Sequence, residues 1–188
     1  MKPQHKIRAW LFLGIVFIVL GLAGWFLVQP VQDWWSHRQQ KSASPVNVAV
    51  TSFYVDRVID GDTVQIKTLA SPQSVRIIGI DTPELSGAAG KKECFADEAT
   101  MHLKELIGSS SVETALDGQS RAVDRYGRLL RYIAVGGKDI GAEMISDGYA
   151  YAYLAFAFDR SEQYKTLEQE ARAAQRGLWA PTTCGGQR

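Results

Sequence analysis

Four carboxylates and one guanidinium stand close together early in the folded part of this chain. Asp60 and Asp62 lie in VIDGDTV, residues 58–64, and Asp81 and Glu84 lie in RIIGIDTPE, residues 76–84, which opens on Arg76. Taken singly, each stretch is turn chemistry, because Asp-Gly between alternating apolar runs signals a hairpin and Thr-Pro marks a strand exit. Taken together, the acids converge if the strands flanking the intervening turn lie side by side. Clustered carboxylates repel, and hard oxygen donors with no Cys or His beside them suit Ca2+ or Mg2+, whose charge offsets the repulsion. Arg76 opens the strand that ends in Asp81 and shares one face with Ile78 and Ile80. There it needs an anionic partner or ligand, since an unpaired buried charge is costly. Arg128, just after the Tyr126-Gly127 turn, is a second guanidinium at a strand start. Two arginines, a dication site and a spare carboxylate suit phosphoryl chemistry: metal and guanidiniums stabilise charge on phosphoryl oxygens, and the carboxylate orients or deprotonates water.

Zinc is disfavoured. His5 and His37 precede the domain, His102 sits alone on a helix as an ordinary helix-face histidine, and the chain has 2 cysteines. The formal balance of 21 basic to 20 acidic residues hides an asymmetry. From Val46 onward there are 16 Lys and Arg against 19 Asp and Glu, a net charge of 16 − 19 = −3, so a globally basic nucleic-acid footprint is absent. Arg121, Arg125, Arg128 and Arg131 nevertheless crowd into RAVDRYGRLLR, with Asp124 the acid among them.

The elements that must position these groups read as strands first and helices after. Runs rich in Val, Ile and Thr predict strands at Phe53–Ile59, Thr63–Thr68, Val75–Ile80, Val112–Leu116 and Leu129–Val135. Helical periodicity predicts helices at Phe95–Ile107, at Asp139–Asp147 with Gly148 as C-terminal cap, and at Ser161–Arg176 with Asp159 near its start and Gly177 past its end. Five short strands suggest a small barrel, and strands followed by helices without βαβ alternation give an α+β domain.

An appendage precedes the domain. Residues 9–28, AWLFLGIVFIVLGLAGWFLV, form an uncharged run of 20 residues, about the ~20 that span a bilayer core as a helix. Lys2, Lys6 and Arg8 hold residues 1–8 in the cytoplasm, and Trp34 and Trp35 suit the opposite interface. The expected organisation is a cytoplasmic N-terminus (1–8), a transmembrane signal-anchor helix (9–28), a Ser- and Pro-containing linker (29–47) and an extracytoplasmic domain (48–188). The rival is secretion after cleavage near Gly21-Leu22-Ala23, but the apolar run continues past that site.

VIDGDTV, RIIGIDTPE and DRYGRLLRYI, in that order, resemble the staphylococcal nuclease (thermonuclease) family, over roughly residues 53–179. The resemblance implies a five-stranded OB-fold barrel with three flanking helices. It also implies a Ca2+-dependent endonuclease acting on DNA and RNA, breaking the P–O5′ bond to leave 3′-phosphates. By the same resemblance Asp62, Asp81 and the Thr82 carbonyl are metal ligands, Arg76, Glu84 and Arg128 are catalytic, Asp60 is a nearby acid and Tyr126 contacts the nucleotide. The departures are the missing basic charge and an unclear choice among Tyr149, Tyr151, Tyr153 and Phe156 for a base-stacking ring. The segment LSGAAGKKECFADEA, residues 85–99, reads as a loop over the site, with Lys91 and Lys92 as phosphate contacts or solvated lysines. Cys94 and Cys184, the two cysteines of an exported domain, are expected to form a disulfide. The expected partners are nucleic acid and, through the N-terminal helix, a membrane; the chain is expected to be a monomer. The alternative is an anchored OB-fold module that binds nucleic acid without cleaving it. Such a module would be expected to have lost one of Asp62, Arg76, Asp81, Glu84 or Arg128, and all five stand.

Overall fold

The structure, a computed structural model, describes residues 51–87 and 90–187. The apolar span 9–28 and the linker 29–47 lie outside the described residues. Among the described residues no helix is long and apolar enough to cross a membrane. The elements below all belong to one unit, Val48–Arg188.

Alternation of apolar and polar side chains builds the barrel. Strands β1 (Thr51–Val58), β2 (Thr63–Ile66) and β3 (Gln73–Ile77) form an antiparallel meander, with Val64 opposite Val75 and Thr63 opposite Arg76. After β4 (Ile80–Asp81) and helix α1 (Ala96–Ile107), β5 (Ser111–Ala115) returns to pair with β1. Strand β6 (Leu129–Val135) pairs antiparallel with β5 and parallel with β3. That last pairing closes a five-stranded ring, β1-β2-β3-β6-β5, and removes the open edges. Val64, Ile66, Val75, Ile77, Val112 and Ile133 fill the interior, each 0–1% exposed. Each such aliphatic side chain contributes about 1.5–3 kcal/mol on burial.

The helices cover the barrel with narrow apolar faces. Ala96, Ala99, Thr100, Leu103 and Ile107 recur at three- and four-residue spacing and form the buried face of α1. Short strand β7 (Lys138–Asp139) leads into α2 (Ile140–Ser146), where the Asp139 carboxylate caps the helix by accepting from the Ala142 N–H at 3.2 Å. Strand β8 (Tyr151–Ala152) pairs with β4 in a second, two-stranded sheet, and α3 (Ser161–Ala173) with a 3-10 turn (Gly177–Trp179) completes the chain. Helix α2 packs against both α1 and α3. His102 is a structural helix-face residue, with Nε2 2.9 Å from Asp147 Oδ2 and its ring stacked on Tyr149 at 3.9 Å.

One expectation is corrected. The predicted strand Val75–Ile80 is two strands in different sheets, because the chain turns at Gly79, whose φ is +77°. A Cβ at Gly79 would stand 2.5 Å from Phe158 Cε2, so both backbone conformation and space require glycine there. Arg76 therefore lies within β3 rather than opening a strand that runs to Asp81. Asp159 does lie near the start of α3, though it is not the N-cap. Arg160 holds the N-cap position without a side-chain capping bond, while the Asp159 carboxylate accepts from the Gly118 N–H at 2.9 Å and the Gln119 amide at 2.8 Å.

Candidate active site

Asp62 ends the turn between β1 and β2, and nearly every one of its polar neighbours serves to fix it. The Ile59 and Asp60 N–H groups both donate to the Thr63 carbonyl, at 2.9 and 3.3 Å, and the Asp62 N–H donates to Asp60 Oδ1 at 3.1 Å. Gly61 lets this turn lie against the next segment: a Cβ there would stand 2.7 Å from Thr82 Oγ1 and 3.0 Å from the Ala99 Cβ. The Asp62 carboxylate, 2% exposed, accepts from Thr63 Oγ1 at 2.9 Å on one oxygen. Its other oxygen accepts from the Thr82 N–H at 3.1 Å and Thr82 Oγ1 at 3.3 Å. Thr82 thus stands beside Asp62 through its own backbone, as close packing of the two motifs requires.

Alternation in β3 turns Val75 and Ile77 inward and Arg76 to the opposite face, where the guanidinium pairs with two carboxylates at once. Its Nη1 contacts Asp62 Oδ2 and its Nη2 donates to Asp81 Oδ1 at 2.8 Å. The anionic partner that a half-buried arginine requires is therefore a pair of aspartates from two different elements. Burial pulls the Arg76 guanidinium below its ordinary value, opposed by Asp81 and Asp60. Burial likewise pushes the Asp60 carboxyl up, opposed by Arg76, Thr63 and Arg128. Glu84 lies on the exposed side after buried Pro83, and its carboxyl is pushed up by desolvation and by Asp60, Asp81 and Glu93 against the pull of Arg76. Asp60, Arg76, Asp81 and Glu84 so occupy one electrostatic neighbourhood, and Arg128 reaches its Asp60 and Arg76 members.

Arg128 is aimed by Asp124. The Asp124 carboxylate accepts from the Tyr126 N–H at 2.8 Å and the Arg128 N–H at 2.9 Å, shaping the turn, and its second oxygen accepts from Arg128 Nε at 2.7 Å. These bonds hold the Asp124 carboxyl below its ordinary range, against the opposing effect of desolvation. Tyr126 is 68% exposed, with the Arg125 guanidinium 4.7 Å and that of Arg128 5.4 Å from its ring centroid. Arg131 is drawn away, donating to the Ala122 and Leu130 carbonyls. Asp124 was visible in the sequence as the acid within an arginine run, but its orienting role depends on a turn that only the fold supplies.

The structure divides the aromatic segment after α2. Tyr149 packs on His102 and Phe95, Tyr151 meets Trp179 edge-on at 5.1 Å, and Phe158 is buried. Tyr153 and Phe156 remain 42% and 36% exposed, edge to face at 5.5 Å. Lys91 and Lys92 are both exposed, and Lys92 pairs with Asp97. Cys94 and Cys184 form a disulfide with their Cα atoms 6.0 Å apart, joining the start of α1 to the C-terminal tail.

Among the described residues no group of three His, Cys, Asp or Glu side chains is placed to hold a metal ion. Asp62 and Asp81 do present carboxylate oxygens to one shared cationic centre, the Arg76 guanidinium. A dication bound there would draw on those two carboxylates and on carbonyl or water oxygens, the hard ligands that suit Ca2+ and Mg2+.

A closed five-stranded barrel with three helices is the architecture of an OB-fold domain of the staphylococcal nuclease type. The chain belongs to that family: the model for staphylococcal nuclease homologues matches residues 74–181. It is 28% identical over 153 residues to endonuclease YncB of Bacillus subtilis, covering 78% of this chain and 71% of that protein. It is 31% identical over 130 residues to the SPbeta prophage-derived endonuclease YokF of the same organism, covering 67% of this chain but 43% of YokF. The thermonuclease of Staphylococcus hyicus is 26% identical over 168 residues, covering 89% of this chain and 96% of that protein.

Proposed function

We propose that the chain is a Ca2+-dependent endonuclease that hydrolyses phosphodiester bonds of DNA and RNA to leave 3′-phosphate ends. The observation that carries this reading is the Arg76 guanidinium forked between Asp62 and Asp81, with Glu84 and Arg128 in the same electrostatic neighbourhood. Family membership and relatives named endonuclease and thermonuclease support it.

Asp62, Asp81 and the Thr82 carbonyl would hold the cation, which when bound supplies Lewis-acid polarisation of a phosphoryl oxygen. Arg76 is paired with Asp62 and Asp81 in this structure; with those carboxylates turned to a cation, its planar fork, like that of Arg128, would match two phosphoryl oxygens at a time. Asp124 fixes Arg128 through its Nε. Glu84 orients a water and accepts its proton as the new P–O bond forms. The P–O5′ bond breaks, the phosphate stays on the 3′ side, and the departing oxygen takes up a proton to give a 5′-hydroxyl. Tyr126, with exposed Tyr153 and Phe156, supplies rings on which bases stack.

The test is digestion of plasmid DNA and of RNA in Ca2+, Mg2+ or EDTA. Cleavage in Ca2+ that EDTA abolishes is the expected result, with products that a polymerase extends only after phosphatase treatment. Binding of nucleic acid without cleavage in every metal would leave the binding module instead. We further propose that residues 9–28 anchor the enzyme with its domain on the extracytoplasmic face. Membrane fractionation with external protease tests this, and a soluble mature protein beginning near Gly24 would replace the anchor by secretion.

A further inference from the structure

Glu84 stands in a segment with no helix or strand of its own, so something other than regular structure must hold it. Both of its backbone polar groups are taken by a single residue. The Glu84 N–H donates to Glu93 Oε2 at 2.9 Å, and the Glu93 N–H donates back to the Glu84 carbonyl at 3.0 Å. A carboxylate accepting from an amide makes a stronger hydrogen bond than a neutral acceptor does. The Glu93 side chain reaches Glu84 through space that Gly87 leaves open: a Cβ at Gly87 would stand 2.8 Å from Glu93 Cγ and 3.0 Å from Glu93 Oε1. The inner turn is closed separately, by the Gly87 N–H donating to the Lys91 carbonyl at 2.8 Å and the Gly90 N–H to the Gly87 carbonyl at 3.0 Å.

Glu93 in turn belongs to a fixed part of the molecule. Its carbonyl accepts from the Ala96 N–H at 3.3 Å at the start of α1, and the next residue, Cys94, is bonded to Cys184. One end of the loop is therefore a post tied to helix and tail, and the other end carries Glu84. We propose that Glu93 is a positioning residue for Glu84: its carboxylate, seated beside Gly87, clamps the Glu84 backbone and so sets where the Glu84 side chain meets the attacking water. This inference rests on the reading of Glu84 as the group that handles that water.

Steady-state cleavage of a short DNA duplex in Ca2+ by the full chain, with Ca2+ affinity measured by calorimetry, tests the proposal. Four variants are compared: Glu84→Gln, Glu93→Ala, Glu93→Gln and the double variant Glu84→Gln with Glu93→Ala. Glu93→Ala is expected to lower kcat roughly 10–100-fold, the scale of a misplaced reacting group, with KM and Ca2+ affinity within about 3-fold of the parent. Glu93→Gln, which keeps the acceptor oxygen, is expected to recover most of the rate. In the Glu84→Gln background, Glu93→Ala is expected to cost nothing further, because it acts through Glu84. Hydrogen exchange at the Glu84 amide should also quicken in Glu93→Ala, a readout independent of turnover. If Glu93→Ala does not fold, Glu93→Asp, one methylene short of the Glu84 amide, is expected to give the same kcat-specific loss. A slow Glu84→Gln beside Glu93 variants at the parental rate overturns the positioning role alone, as do losses that multiply in the double variant. Glu84→Gln at the parental rate overturns the reading of Glu84 and this inference with it.

Discussion

Arg76 carries charge that lysine could also carry, so the question at the scale of the residue is what its shape adds. Its two terminal nitrogens reach carboxylates from two different elements, Asp62 and Asp81, a task for which a single ammonium has no second arm. Arg76→Lys and Arg128→Lys should each slow turnover while weakening substrate binding less, because the lost fork matters most where charge on the phosphoryl oxygens is greatest. Glu84→Gln should lower kcat by roughly the 10²–10⁴-fold of a positioned acid–base group and leave Ca2+ binding largely intact. Rates and Ca2+ titrations on variants with parental circular dichroism decide this, and three variants cleaving at the parental rate would refute the assignment. The residues that meet were legible in the sequence because each sits at the end of an apolar run beside turn chemistry: Asp62 after Asp-Gly, Asp81 before Thr-Pro, Arg128 after Tyr-Gly. Asp124 and Glu93 were not legible as partners. An acid that accepts backbone N–H bonds has the same sequence signature as a solvated one, and only the path of the chain separates them.

At the scale of the element, Gly79 separates β3 from β4 and so sets Asp81 against Arg76 from a different sheet. Its φ of +77° and the 2.5 Å that a Cβ would leave to the buried Phe158 ring oppose any side chain. Gly79→Ala should destabilise the domain by about 2–4 kcal/mol, from the left-handed backbone and the forced repacking together. Urea unfolding measures the loss, and an unchanged midpoint would show that the turn relaxes freely. The five barrel strands and three helices were readable within a few residues at their ends, because alternation and 3.6-residue periodicity report burial directly. The break at Gly79 was hidden, since RIIGI reads as one continuous strand-like apolar run across it. The two-residue strands β4, β7 and β8 were hidden for another reason: pairs such as Tyr151-Ala152 are too short to carry a period, and only their partners make them strands.

Across the whole molecule, stability couples to pH through Asp117, which lies outside the candidate site. Its carboxylate, 8% exposed, accepts from Tyr132 Oη at 2.5 Å and from the Asp159, Gln119 and Ser120 N–H groups at 2.7, 2.9 and 2.6 Å. Desolvation raises this carboxyl, but the four bonds outweigh it and leave the folded value below the ordinary one. A group with a depressed folded pKa binds protons more readily when unfolded, so its contribution is complete at neutral pH. It is lost as pH falls below the ordinary aspartate value of about 3.9 toward the folded value. Asp117→Asn should cost about 1–3 kcal/mol at pH 7, the worth of hydrogen bonds to a charged group. The gap between parent and variant should narrow below pH 4 in urea unfolding, and a gap independent of pH would place the effect in shape rather than charge.

The Cys94–Cys184 bridge spans a sequence separation of 90 residues and returns the tail to the start of α1. The tail is not otherwise loose: the Gly186 N–H donates to the Leu178 carbonyl at 2.8 Å, and a Cβ on Gly186 would stand 2.7 Å from the Trp179 ring. The bridge therefore closes a large loop whose two ends already meet, the case in which a cross-link acts mainly on the unfolded chain. In the chain-entropy model such a loop contributes about 4–5 kcal/mol. Cys94→Ser with Cys184→Ser should lower unfolding free energy by that order, and reductant should shift the parent toward the variant while leaving the variant unmoved. Because Cys94 adjoins Glu93, the same variant should also lose turnover beyond what its melting explains at temperatures where it remains folded. An oxidising compartment favours the formation of such a bridge. Equal stability with and without reductant would mean that the packed tail, not the cross-link, holds the C-terminus in place.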